Sequence, residues 1–421
     1  MNINVIHRTI VVVIVMMMAG ITITAADEQK LTVMVENPYK ESFKDYPVTV
    51  DIKKYGDIKG AVIRKGLNVL PCQLDDIDGD GINDELFFLV DIGQKESSGF
   101  DVTLYESPHP AKYPQRVYAE MMLTNKKIKE ENKQDLYISH LTVERGVNPY
   151  WMLHHHGAAF ENELVAYRIY FDHRQTVDIY GKYRQGLELK ETQFYPDATQ
   201  KAAGYGDDVL WVGQTLGLGT LRGWDGSQPV MLNDVEHRSQ RIVSNGTLRT
   251  IIEVRDDAWK PIPASKPVDM VIRYTLVAGH RDCRVDVSFS RPAHELPLCT
   301  GIINVKNSVE YTDHKGLRGC WGTDWPVSEK DSVGHKRETV GLGICLPSEV
   351  IQKEVEATKD NYAFALSLQE GTNHFSYFIT FGSDNESFGY HSQKEWFSYL
   401  KEWKRHLGQQ LSVSVVEGTW R

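Results

Sequence analysis

The stretches ELVAYRIYF at 163–171 and TVDIYGKY at 176–183 read as the two strands of one hairpin. In an extended chain successive side chains point to opposite faces, so Val165, Tyr167, Ile169 and Phe171 share one face while Arg168, Tyr170 and Asp172 share the other. Across the turn Val177 and Ile179 lie together, and Asp178, Tyr180, Lys182 and Arg184 oppose them. Alternation of this length predicts strand, not helix. It recurs outward from the hairpin in YISHLTVE (137–144), VLWVGQTL (209–216), TLRTIIEVR (247–255), DMVIRYTLV (269–277), CRVDVSFS (283–290) and HFSYFITF (374–381). Strand after strand with turn residues between them favours a large antiparallel β sandwich over α/β layering. The exception is QKEWFSYLKEWKRHLG: Trp396, Leu400, Trp403 and Leu407 stand at helical spacing, which predicts an amphipathic helix over Gln393 to Leu407 with its tryptophans in the core, followed by a last strand, LSVSVVEG.

Towards the N-terminus, LTVMVENP (31–38), YPVTVDIKKY (46–55), ELFFLVDIG (85–93) and FDVTLYE (100–106) predict a small β domain over 27–106. Three prolines within 107–115 and the charged run KKIKEENK (126–133) suggest a linker over 107–135, leaving 136–421 for the large domain. The chain is all-β by this reading, and no repeat of propeller or solenoid length is visible.

Of 421 residues, 41% are hydrophobic and 25% charged, a globular balance that excludes disorder and multiple membrane spans. The net charge of −10, with no basic cluster, argues against a nucleic-acid partner. Ile10 to Gly20 is an apolar run too short to span a bilayer. It follows Arg8 and precedes the small residues Ala25 and Ala26, so residues 1–26 read as a signal peptide. No cysteine stands at that cleavage site to accept a lipid; the expectation is a periplasmic or secreted protein without a stable membrane anchor. Five cysteines, Cys72, Cys283, Cys299, Cys320 and Cys345, leave at least one unpaired, and disulfides and buried thiols are both open. The absence of CxxC argues against structural zinc.

DDIDGDGINDE (75–85) has the spacing of the first half of a calcium loop: Asp76, Asp78 and Asp80 at positions 1, 3 and 5, Gly81 at the sharp turn and Asp84 at position 9. Phe87 stands where the bidentate glutamate belongs, so this is no EF-hand, and Asp75 or Glu85 would have to complete the shell. The competing reading is an acidic turn. Calcium in a structural role is the expected cofactor, with no organic cofactor.

The polar face of the hairpin suggests a groove for sugars, because tyrosine rings stack on pyranoses while arginine and lysine reach carboxylates. Just upstream, WMLHHHG places three histidines at 154–156. Read as a strand, His154 and His156 share a face and His155 opposes them, which gives a transition metal two convenient ligands at most. The candidate proton-transfer groups are His156 and Tyr180, with His154 the rival base and His237 in reserve. Gly157 beside His156 leaves room for a substrate. Arg168, Tyr170, Lys182, Tyr183 and Arg184 are the candidate substrate-binding residues, joined by Asp207 and Asp208 from an acidic loop expected to be mobile. No GxGxxG opens a helix and no GxSxG occurs, so neither a dinucleotide site nor a serine triad is supported.

QLDDIDGDGINDELFFLVDI, HHHGAAFENELVAYRIYFDHRQTVDIYGK and DDVLWVGQTLGLG together resemble a secreted bacterial family labelled a domain of unknown function and found in gene sets for polysaccharide use. The resemblance covers about Leu31 to Gly418. It implies a β-supersandwich of the galactose-mutarotase type, which polysaccharide lyases also use, and work on carbohydrate; it assigns no catalytic residue. The expectation is a polysaccharide lyase acting on uronic-acid-containing glycans, which needs a base, an acid and neutralisation of the uronate. The alternatives are a glycoside hydrolase with carboxylates drawn from Glu161, Glu163, Asp207 and Asp208, and a sugar-binding or mutarotase-like protein without cleavage activity.

Overall fold

The structure is a computed structural model that describes residues 28–109, 111–129 and 133–418. The expected signal peptide lies outside them. Strands dominate and every sheet is antiparallel, so the all-β expectation holds. Among the described residues no helix is long and apolar enough to cross a membrane.

The centre is a nine-stranded sheet in the order His140–Glu144, His237–Asn245, Arg249–Trp259, Val268–Val277, Asp282–Phe289, His374–Ser383, Glu338–Cys345, Leu317–Asp324 and Val309–Thr312. Its inner face carries Ile252, Ile272, Tyr274, Val285 and Tyr377, and these share one core with Phe160, Tyr167 and Ile179 of one five-stranded sheet and Ile302 and Phe364 of another. Alternation explains this arrangement. In Val268–Val277 every second side chain is buried, so one face turns apolar and must be covered.

The predicted helix forms over Gln393–Leu407. Ser392 caps it, its hydroxyl accepting from the Glu395 amide at 3.3 Å, and Trp396, Leu400 and Trp403 are buried as expected. The helix lies on the outer face of the nine-stranded sheet over a track of glycines. A Cβ at Gly341 would stand 2.5 Å from the Trp396 ring, and one at Gly343 or Gly319 would stand 2.5 or 2.3 Å from Leu400.

The N-terminal strands build a second core from Val33, Val48, Ile63, Phe88 and Phe100. Two boundaries differ from the sequence reading. Ser412–Glu417, placed with the large domain, instead pairs with Gln29–Glu36 and closes the edge of the N-terminal sheet. The proposed linker contains Val117–Glu120, which pairs with Gly157–Asn162 and belongs to a five-stranded sheet. Prolines and lysines mark the exposed ends of that segment, and its buried strand is too short to show a period. All five cysteines are free and buried.

Candidate active site

The hairpin forms as read. Ala166–Tyr170 pairs with Val177–Gly181 so that Arg168 faces Asp178, and the sheet continues through Gly157–Asn162 on one side and Asp207–Asp208 on the other. Arg168, Tyr170, Asp178, Tyr180 and Lys182 do share a face. That face is not a groove. Glu188, Leu189 and Phe194 lie across it, leaving Tyr180 and Lys182 with 0% exposure. Polar groups of this kind are buried only when paired, and each has its partner. Lys182 Nζ donates to Glu161 Oε2 at 2.5 Å, and Glu161 also accepts from the amides of Glu188 and Leu189, which ties the covering segment down. Tyr180 donates to Glu188 Oε2 at 3.1 Å, so it is no partner of His156. Arg168 donates to Asp178 at 2.5 Å, to Asp208 at 3.0 Å and to the Tyr170 hydroxyl at 3.0 Å. Burial and the adjacent Asp178 charge raise the Asp208 carboxyl, against the pull of Arg168.

The remaining predicted residues scatter. Tyr183 and Arg184 lie past the end of the hairpin, Arg184 over the Tyr205 ring. Asp207 pairs with Lys201, and the loop expected to be mobile ends in a strand. His237 opens a strand of the nine-stranded sheet opposite Glu144 and Asp257. Glu163 is bound by Arg116.

An open cleft of about 570 Å³ does exist at the end of this sheet, lined by Thr124, Trp151, the three histidines, Tyr195 and Asp197 among others. The histidines do not alternate as strand residues. They form a single tight turn, with His155 at φ 42° and His156 at φ 67°, so all three reach the cleft. Behind the opposite wall Gln193 and Phe194 are also left-handed, at φ 48° and 70°. Consecutive left-handed residues with side chains are strained, on the order of 1–3 kcal/mol each, and such strain gathers at functional sites.

His156 Nδ1 lies 2.9 Å from the Tyr150 carbonyl, which holds the proton on Nδ1 and leaves Nε2 as an acceptor. Its ring stacks on Tyr150 with centroids 3.7 Å apart, and burial lowers its pKa to about 4. Burial likewise lowers His154 and His155 to about 3, so all three imidazoles are neutral at pH 7. His154 keeps Nε2 buried without a hydrogen-bond partner among the described residues. His155 meets Glu120 at 3.3 Å, and burial lifts that carboxyl to about 8.

Two residues that sequence reasoning passed over complete the cleft. Tyr195 lines it and accepts from Arg168 Nη1 at 2.8 Å, while Trp151 is 77% exposed and stands edge-on to His156, centroids 5.4 Å apart. Tyr195 follows a left-handed pair that no periodicity reveals. Trp151 opens the histidine run, and an exposed tryptophan beside three histidines was the available signal.

Away from the cleft, Asp76, Asp78 and Asp84 bring carboxylate oxygens within 4.8 Å of one another, while Asp80 instead accepts from the Ile82 amide. Lys53 Nζ reaches into the cluster, 2.9 Å from Asp84 and 3.4 Å from Asp78. Despite the cost of burial, Lys53 and the Ile77 and Asp78 amides hold the Asp84 carboxyl below its ordinary range.

The fold and cleft define an antiparallel β-sandwich protein with an aromatic, imidazole-lined site. The chain belongs to the family described as Domain of unknown function (DUF4861), which matches residues 35–413. No curated protein matches it in sequence. Among solved structures it is similar to a glycosyl hydrolase family 38 protein from Enterococcus faecalis, at 8% identity and TM-score 0.44, covering 93% of this chain and 48% of that one. It is also similar to an alpha-mannosidase from Enterococcus faecalis V583, at 8% identity and TM-score 0.45, covering 93% and 46%. The chain spans about half the length of either.

Proposed function

We propose that this protein is an exported carbohydrate-active enzyme that cleaves a uronate-containing glycan by β-elimination in the Trp151–Tyr195 cleft. What carries the reading is one juxtaposition: an exposed ring platform beside an imidazole of fixed tautomer, facing a cleft that also holds a guanidinium-bonded phenol. A pyranose stacked on Trp151 comes to rest next to His156. His156 Nε2 takes the proton from C5, the C4–O bond breaks as the C4=C5 double bond forms, and the departing oxygen receives a proton from Tyr195. Arg168 and Lys182 are sealed, so the cation left for the uronate carboxylate is Arg174, over the Tyr150 and Tyr170 rings at 4.8 and 4.7 Å; it is held by Asp172 at 2.6 Å and acts through the ring wall, not as a residue lining the cleft.

A hydrolase requires two accessible carboxyl groups about the scissile bond. Asp178 and Asp208 share Arg168, Glu161 is enclosed, and the carboxylate that lines the cleft is Asp197, whose oxygen caps a helix. Elimination by imidazole and phenol therefore fits the groups better than hydrolysis.

The test is incubation with uronate-rich polysaccharides. Elimination yields an unsaturated product absorbing in the ultraviolet; reducing ends without that absorbance would instead mean hydrolysis, and neither would mean a binding protein. His156→Ala and Tyr195→Phe should each lower turnover by ~10²–10⁴ with the melting temperature kept. Because His156 must be neutral to accept a proton and burial lowers it to about 4, activity should rise through about pH 4 and not through the ordinary histidine range.

For the acidic loop we propose a structural calcium site in which the ion displaces Lys53 from Asp78 and Asp84.

A further inference from the structure

The outer face of the nine-stranded sheet is covered by the C-terminal helix over its later strands and touched at the other end by the acidic loop, where Arg241 and Arg273 both donate to the Ile77 carbonyl, at 3.3 and 3.2 Å. Between these covers the face is open. It forms a cleft of about 510 Å³ far in sequence and in sheet position from the histidine turn. Its floor carries Arg255, Arg273 and Arg284 on three adjacent strands. Each is held along one edge by a carboxylate of the same sheet: Arg255 Nε by Asp257 at 2.6 Å, Arg273 Nε by Glu253 at 2.7 Å and Arg284 Nε by Asp286 at 2.8 Å. None of the three uses Nη1 for an acceptor among the described residues. Arg255 thereby presents both Nη groups as a preorganised fork for carboxylate or sulfate, while Arg273 and Arg284, whose Nη2 groups also donate to the Ile77 carbonyl and to Ser376 Oγ, each present Nη1. Arg255 and Arg284 are 45% and 53% exposed, so their donors are open to solvent.

Lateral ion pairs on a solvated sheet face also steady the sheet. That role alone would be served by arginines anywhere on the face. Here they gather in a concavity of that face, with His374 beside them, on a chain whose net charge is −10.

We propose that this cleft is an accessory binding site for the acidic groups of an anionic oligosaccharide, gripping the chain away from the reactive cleft. The identity of the ligand rests on the reading of the protein as acting on uronate glycans; the location rests on the three arginines. Asp78, Glu253 and Asp286 also line the cleft; Glu253 and Asp286 are each paired with an arginine of the floor, so the anion is to be met by the guanidinium donors that those carboxylates leave free.

Titration calorimetry with two probes tests it: an oligogalacturonate and a sulfated oligosaccharide of similar length, each on the full protein. Arg255→Gln with Arg284→Gln should weaken binding of at least one probe tenfold or more while Trp151→Ala in the other cleft leaves most of that affinity. The methyl-esterified oligogalacturonate, equal in shape but uncharged, should not bind there. Arg273→Lys serves as a second variant that keeps charge but loses the planar guanidinium and its Nη1 donor. The proposal is overturned if wild type binds neither probe, if the double variant binds both unchanged, or if the methyl ester binds as tightly. Loss of turnover in His156→Ala with probe binding intact separates failure of this site from failure of the catalytic reading.

Discussion

Two clusters of acidic and basic side chains sit at opposite ends of solvation. In the loop at 75–85 the Asp78 carboxylate and the Lys53 ammonium are more than half exposed, with the Asp84 carboxylate buried beneath them. Under the hairpin, Glu161 and Lys182 have no exposure at all, and Arg168 and Asp178 almost none. Both clusters looked like ligand sites in the sequence. Burial separates them. A charge in water exchanges its partner for a ligand at little cost, whereas a desolvated pair can release neither member without stranding the other. The sealed cluster therefore holds the architecture behind the cleft, and the exposed loop is the one able to trade Lys53 for an ion.

The largest break in this comparison should come from Glu161→Ala. It leaves the Lys182 ammonium enclosed and frees the Glu188 and Leu189 amides that fasten the covering segment, so denaturant unfolding should show a loss of about 3–5 kcal/mol. A loss below about 1 kcal/mol would mean that water reaches the pair and that the hairpin face is open after all.

The pH dependence of stability should come next in size. Burial lowers His155 to about 3 from an ordinary 6.5, so the unfolded chain binds the extra proton and stability falls as pH drops from about 6.5 towards 3. Glu120 has the opposite sign. Its pKa of about 8 against an ordinary 4.5 keeps the proton on the folded state, so its contribution is full below 4.5 and is lost as pH rises through 8. Each pKa unit is roughly 1.4 kcal/mol, which puts either limb on the order of a few kcal/mol. Glu120→Gln should flatten the decline between pH 4.5 and 8 in chemical denaturation; an unchanged slope would show the carboxyl ionised in the folded protein.

The smallest effect belongs to the loop. Calcium should raise the melting temperature modestly, and Lys53→Met, which removes the competing ammonium, should enlarge that response, while Asp78→Ala with Asp80→Ala abolishes it. Equal calcium responses in all three proteins would reduce the loop to an acidic turn.

Among particular elements, the helix over Gln393–Leu407 was legible because four large apolar residues at helical spacing bury one stripe whatever they pack against. The polar face of the hairpin was legible for the same reason, since strand parity is local. Its exposure was not. Whether Tyr180 and Lys182 meet solvent depends on Glu188, Leu189 and Phe194 folding back across them, a contact made through a four-residue helix and a left-handed pair, too short to show a period. The histidine turn failed for a related cause: two left-handed residues other than glycine cannot be anticipated from sequence, and they bring all three rings to one cleft where alternation had split them.

By itself, then, the order of apolar and polar residues determined the all-β class, the C-terminal helix and the facing of the hairpin strands, because those follow from periodicities of a few residues. The tertiary structure alone decided which polar side chains are sealed and which are open, the pairing of the last strand with the first, and the company of Trp151, His156 and Tyr195. Solvation is a property of what packs over a residue, and that is set by segments distant in the chain.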